Sequence, residues 1–219
     1  MKHYSILRRA LRFIYSLRQL KLYRDLPYGV CLATDIKRLL PNYQPDFVFD
    51  VGANIGQLLV EYKRAFPNAN IVCFEPVKES FHQLIKHSAV DSKVKCHCLA
   101  LGSSSGTSFM VVDGTSTMNR IQNGCSEQDE QSSDCQVVKV STLDNFCSEN
   151  LIKHIGLLKI DTEGFDLDVL KGATSLLQHY AIDIIQVEAG MNPENERHVN
   201  FKEIDEFLNE YKYFLFGIY

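Results

Sequence analysis

The feature that most constrains this chain is a strand that breaks into a glycine turn and then a helix: Phe47-Val48-Phe49-Asp50-Val51-Gly52-Ala53-Asn54-Ile55-Gly56-Gln57. A run that is apolar on both faces belongs inside a parallel sheet. Gly52 and Gly56 permit a tight turn and a close backbone approach to a ligand at the carboxyl edge of that sheet. The same rhythm continues downstream. Apolar runs at 47–51, 70–74, 94–100, 155–160 and 182–188 predict strands, and 3.6-residue periodicity predicts helices over 57–66, 78–86, 167–180 and 201–211. Strands buried on both faces and alternating with helices specify an α/β fold with a doubly wound, mostly parallel, Rossmann-like sheet.

Two stretches depart from the alternation. Residues 103–134 are rich in Ser, Gly, Asn, Gln and Asp between strand-like runs at 109–112 and 137–140, which predicts an inserted β-ribbon with a long polar loop. Its position suits a lid over a site. Positions 1–25 predict an amphipathic helix through Ile6, Ala10, Phe13, Ile14, Leu17 and Leu20. Arginines interrupt that apolar series, which excludes a secretory signal. A domain boundary is therefore expected near residue 45, with an N-terminal helical extension over 1–45 and the main domain over 46–219.

Charge narrows the partners. Residues 1–25 set seven basic side chains against Asp25 alone, for +6, whereas the remainder carries 16 basic and 26 acidic residues, for −10. An acidic body argues against a nucleic-acid groove. The basic helix is expected to pack on the domain, with peripheral membrane contact as the alternative. No apolar run reaches the length of a membrane span. The seven cysteines are odd in number, lack a CxxC pair and fall partly inside apolar runs, so they read as reduced thiols of a cytoplasmic protein.

The glycine turn does not suit a dinucleotide, because GxGxxG requires glycine where this chain has Asn54 and Gln57. An acidic Asp50 at the entrance would repel phosphate and attract a cationic sulfonium–amine, which favours S-adenosylmethionine over NAD. Glu75, in Cys73-Phe74-Glu75-Pro76, falls where a carboxylate accepts both hydroxyls of a ribose. Leu99-Ala100-Leu101-Gly102 is small and apolar enough to lie beside an adenine. Asp50, Gly52, Asn54, Gly56, Glu75, Ala100, Leu101 and Asp161 are thus the expected cofactor-binding residues. On this reading Gly52→Val weakens donor binding without unfolding the domain.

The series DVGANIG, FEP, LALG, STLD, LLKIDTEGFDLDVLKGA and QVEAG, in this order, resembles the FkbM-type methyltransferase family from about Phe47 to Glu188. The run from Lys159 to Ala173 is its most distinctive part. The resemblance implies a class I fold, S-adenosylmethionine as donor, and O-methylation of a sugar or polyketide hydroxyl. The class I sheet generally closes with an antiparallel seventh strand between the fifth and sixth. Here 214–219 reads as the sixth strand, so either the seventh is absent or the chain is shortened.

Methyl transfer to an alcohol benefits from a base that takes its proton. Asp161 and Glu188, at the ends of the strands at 155–160 and 182–188, are the expected catalytic carboxylates, with Glu163 equally suited to stabilising a helix N-terminus. Lys159 interrupts an apolar strand and is expected to pair with one of these acids. Asp144, in Ser141-Thr142-Leu143-Asp144, reads as a structural capping box for the helix that follows. His198 reads as a surface histidine. Two carboxylates without clear further ligands make a thin metal site, and no metal is assigned. The leading expectation is O-methylation of a sugar or glycolipid precursor. The alternatives are methylation of a polyketide-type natural product and a non-catalytic module that holds cofactor or a partner protein.

Overall fold

The computed structural model describes Leu11, residues 26–89, 91–111, 120–122, 135–192, 194 and 197–219. Apart from Leu11, the predicted N-terminal helix lies outside these residues, as do 112–119 and 123–134 of the polar insertion. The chain divides into two units, one of residues 1–42 with 217–219 and one of residues 43–216. In the first unit, α1 (Leu32–Leu39) carries a buried Asp35 whose carboxylate accepts from the Gly29 N–H at 2.7 Å.

In the second unit the strands β1 (Phe47–Val51), β2 (Asn70–Phe74) and β3 (Val94–His97) alternate with helices α2 (Leu59–Ala65) and α3 (Lys78–Ser88). Later in the chain, β8 (Ile155–Ile160) and β9 (Ile182–Val187) join them in one parallel sheet of order β3-β2-β1-β8-β9. Strand order reverses between β1 and β8, the switch point where open α/β sheets bind ligands. Every residue of β8 is buried, and Phe49, Phe74 and Phe146 meet at centroid separations of 4.7–6.0 Å to form the aromatic centre of the core. Edge-to-face rings of this kind add to the area they bury.

A second sheet, of order β4-β7-β5-β6, comprises β4 (Ala100–Leu101), β5 (Gly106–Val111), β6 (Arg120–Gln122) and β7 (Cys135–Ser141). Its β5 pairs antiparallel with both β6 and β7, which is the inserted ribbon, while β4 pairs parallel with β7. The run 94–100, expected as one strand, is therefore two. Its first part ends where β2 ends, at the His97–Phe74 pair: Glu75 N–H still donates to the His97 carbonyl, but the next donor on that side, Val77 N–H, is taken by the Glu75 carboxylate. The chain then finds its next partner in β7.

The helix expected over 167–180 is also two, α5 (Asp166–Lys171) and α6 (Thr174–Gln178). The break falls at Gly172, where a Cβ would overlap the carbonyl of Gly102. Asp144 restarts the helix: its carboxylate accepts from the N–H groups of Ser175 and Leu176 at 2.8 and 3.0 Å. The cap of α4 (Leu143–Glu149) comes instead from Thr142, whose hydroxyl accepts from Asn145 N–H at 3.1 Å. Asp144 is thus structural, but for α6 rather than for its own helix. Asp144→Ala is expected to cost about 1–2 kcal/mol in chemical denaturation, and wild-type stability would refute the cap.

After α7 (Phe201–Glu210) the expected strand at 214–219 is absent. Tyr213 is tied to the sheet by its hydroxyl, which donates to the Ile182 carbonyl at 2.7 Å, and Phe214, Leu215 and Phe216 that follow are exposed. Apolar residues alone do not make a strand; the backbone needs a neighbour to bond to. Among the described residues no helix is long and apolar enough to cross a membrane. Cys31, Cys73, Cys96, Cys98 and Cys147 are thiols outside any disulfide, with Cys73 and Cys147 buried.

Candidate active site

The glycine turn folds back onto the carboxyl ends of β2 and β8. Gly52 and Ala53 both donate to the Phe74 carbonyl at 3.0 Å, and Gly52 adopts φ +78°. A Cβ at Gly52 would overlap the Asp161 carbonyl, so this glycine is required by packing as well as by conformation. Asn54 follows at φ 49°, a region asparagine tolerates. Its N–H donates to Glu75 Oε2 at 2.9 Å, while Val77 N–H donates to Oε1 at 2.8 Å. One carboxylate thus joins the turn after β1 to the start of α3. Burial pushes Glu75 up to about 7 despite these two bonds, which favour its ionised form.

Lys159, in the middle of the switch point, bridges two acids. Its Nζ lies 3.1 Å from Asp50 Oδ1 and 3.3 Å from Asp161 Oδ2. Burial pulls the ammonium down, but the two carboxylates outweigh it and hold Lys159 charged above its ordinary range. Asp50, with 1% of its surface exposed, is raised by burial against the pull of Lys159. The cation that meets Asp50 here belongs to its own chain.

These groups surround a cavity of about 350 Å³, within the size range of small-molecule sites. Gly52, Asn54, Glu75, Ala100, Leu101 and Asp161 all line it. Three other expected residues do not. Asp50 lies behind Lys159, Gly56 packs against the side chains of Leu59 and Leu84, and Glu188 stands beside Asp161. Sequence reasoning did not place Gln57, Thr162, Phe165 or Met110 in the lining. Met110 comes from β5, so the inserted ribbon contributes to the wall, and nothing in its local sequence distinguishes it from an ordinary core methionine. Lys159 was legible as an interruption of an apolar strand.

Glu188 is raised to about 8, first by burial, then by a hydrogen bond to Asp161 and by the charges of Asp161, Glu163 and Asp166. Its Oε2 lies 3.3 Å from Nδ1 of His198, a partly buried histidine outside the cavity lining. Glu163, Glu188 and His198 could each offer a cation one ligand atom, all within 4.8 Å of one another. Arg197 already sets a guanidinium nitrogen 2.7 Å from Glu163, balancing that carboxylate from within the chain.

Comparison with known proteins places the chain in a family. The methyltransferase FkbM domain matches residues 50–215. Methyltransferase sdnD of Sordaria araneosa is 30% identical over 200 residues, covering 78% of this chain and 72% of its own. Methyltransferase 1 of Beauveria bassiana is 31% identical over 161 residues, 65% of this chain and 64% of its own. The hexuronic acid methyltransferase AglP of Haloferax volcanii is 28% identical over 181 residues, 81% of this chain and 68% of its own.

Proposed function

The chain belongs to the FkbM methyltransferase family, and from that premise we propose that it transfers methyl from S-adenosylmethionine to a hydroxyl of a sugar or glycan precursor. The observation that carries this reading is the single cavity joining the glycine turn, Glu75, the apolar Ala100–Leu101 wall and Asp161. The donor set fits a nucleoside. Each Glu75 oxygen accepts one backbone N–H and keeps a lone pair for a ribose hydroxyl. Ala100 and Leu101 offer an apolar face to a purine, and Gly52 and Asn54 keep the turn low beside it. When bound, the donor supplies an electrophilic methyl group on a sulfonium.

Asp161 supplies the acceptor-side chemistry in this reading. It follows β8 directly, its N–H donates to the Val51 carbonyl at 3.0 Å, and its carboxylate lines the cavity. It orients an acceptor hydroxyl and takes its proton, a role worth about 10²–10⁴-fold. Lys159 holds the Asp161 carboxylate in place. The sugar preference rests on AglP, named for a hexuronic acid, whereas the two fungal relatives carry names that specify no acceptor. Incubation with methyl-labelled donor and a panel of glycosides, read by mass spectrometry, tests the reaction; no labelled ether on any sugar would overturn the acceptor class.

The donor is tested separately. S-adenosylhomocysteine is expected to bind in isothermal titration, and Glu75→Gln to weaken it by about 10–150-fold, equivalent to about 1.5–3 kcal/mol. Ribose hydroxyls donate to the ionised carboxylate, so affinity should rise with pH through about 7, with proton release below that value. The sign for the unliganded fold is opposite. The folded state holds the Glu75 proton up to about 7 rather than 4.5, so this group's contribution falls as pH rises between those values. Binding without proton release, unchanged in Glu75→Gln, would remove the ribose role.

A further inference from the structure

The turn that follows β8 is held more firmly than a surface connection requires. Asp166, the first residue of α5, is fully buried, and its carboxylate accepts from Thr162 N–H at 3.0 Å and from Gly164 N–H at 3.2 Å. Such bonds are what a buried carboxylate needs. Between the two donors, Glu163 adopts φ +53°, a left-handed conformation that a non-glycine residue keeps only where its surroundings fix it. Gly164 follows at φ +103°, where a Cβ would overlap the Arg197 carbonyl. At the start of the turn, Asp161 N–H donates to the Val51 carbonyl at 3.0 Å. Held in this way, the consecutive residues Asp161, Thr162 and Glu163 all line the same cavity.

The Glu163 side chain is fixed as well. Arg197 meets its Oε2 twice, with Nε at 2.8 Å and Nη2 at 2.7 Å, and Oε1 takes part in neither contact. An ionised carboxylate only accepts hydrogen bonds, so Asp161 and Glu163 on this wall call for two donors. A lone alcohol brings one. Neighbouring hydroxyls of a sugar ring bring two, from adjacent carbons. Building on the proposed role of Asp161, we infer that Glu163 is a specificity-determining residue that binds the hydroxyl next to the one being methylated, so that the acceptor is a sugar with vicinal hydroxyls. The reacting hydroxyl gives its proton to Asp161 as its oxygen takes the methyl group, and the sulfonium becomes a thioether. The neighbouring hydroxyl donates to Glu163 Oε1, keeps its proton and leaves with the product. It is not consumed; it fixes which ring oxygen faces the methyl group, the alignment that in-line transfer needs.

The test starts with the wild-type protein and so does not depend on the folding of any variant. The methylated position on an accepted methyl glycoside, located by NMR of the product, defines the comparison: the parent sugar against analogues deoxygenated on either side of that position. On one of these analogues kcat/KM is expected to be about 10–150-fold lower, the loss of one hydrogen bond to a charged group. Equal values on the parent and every analogue would overturn the inference. Glu163→Ala removes the carboxylate and leaves Arg197 half-exposed, where water can solvate it. It is expected to erase the preference for the parent sugar while affinity for S-adenosylhomocysteine stays within about threefold. A preference that survives in Glu163→Ala would overturn the inference. Loss of S-adenosylhomocysteine binding in that variant would place Glu163 on the donor and overturn it too. So would activity that is lost to chelation and restored by Mg²⁺ or Mn²⁺, which would make Glu163 a cation ligand beside Glu188 and His198. A wild-type protein that methylates no sugar defeats the functional reading and this inference together, whereas one that methylates parent and analogues alike defeats the inference alone.

Discussion

Gly52→Ala is expected to lower the thermal unfolding midpoint by roughly 10 °C, at about 3–4 kcal/mol and about 2–4 °C per kcal/mol for a chain of this size. Two costs add. A non-glycine residue held at φ +78° costs about 1–3 kcal/mol. The new methyl also meets the Asp161 carbonyl, a backbone atom fixed by its place at the end of β8, and overpacking costs about 1–3 kcal/mol more. Gly56→Ala is the control. Its φ of +87° is just as unfavourable, but its Cβ meets only the ends of the Leu59 and Leu84 side chains, at 2.8 and 2.9 Å, which can turn aside. It should lose no more than about half as much. Equal melting of Gly52→Ala and wild type would refute the packing described here. The sequence alone assigns the effect of a larger residue at position 52 to ligand binding; the structure moves most of it into folding.

Asp161→Asn is expected to reduce kcat by about 10²–10⁴-fold while leaving affinity for S-adenosylhomocysteine within a few-fold. Asparagine keeps the size and one acceptor oxygen but cannot take a proton at neutral pH. The substitution also removes one of two counter-charges from Lys159, yet Asp50, at 3.1 Å, remains, so the ammonium is not stranded. A loss of binding comparable to the loss of turnover would place Asp161 on the donor rather than at the acceptor. Full turnover would remove it from the chemistry.

Legibility followed the physics of each element. β1, β2 and β8 are found at their expected positions because a parallel central strand needs an apolar run. The errors fall where a distant partner decides. The run 94–100 reads as a single strand, but its neighbour β2 ends at Phe74, and no local signal in 94–100 shows that. The helix at 167–180 is continuous by periodicity, and it breaks because Gly172 must pass the backbone of Gly102, which lies far away in the sequence. In the site, residues on the glycine turn and at strand ends were legible because topology fixes which edge they occupy. The pairing of His198 with Glu188 was not. It arises only because the loop between β9 and α7 closes through the Gly190–Asn200 bridge, a contact with no sequence period. Asp50 was legible as important but not in its role, since only the register of β1 against β8 shows that Lys159 claims it.

The Lys159 bridge bears on how the site empties. One ammonium is set against Asp50 and Asp161, which leaves a surplus of negative charge at the switch point. On the proposed reaction the donor arrives with a sulfonium and departs as a neutral thioether. The surplus therefore favours the charged donor over the spent one, and a preference of about 1.4 kcal/mol is already tenfold in occupancy. Product inhibition should accordingly weaken as salt falls and strengthen as salt rises relative to donor binding, because the sulfonium charge that screening weakens is carried by the donor and not by its product. Release of the spent donor is then favoured by the same chemistry that neutralises it.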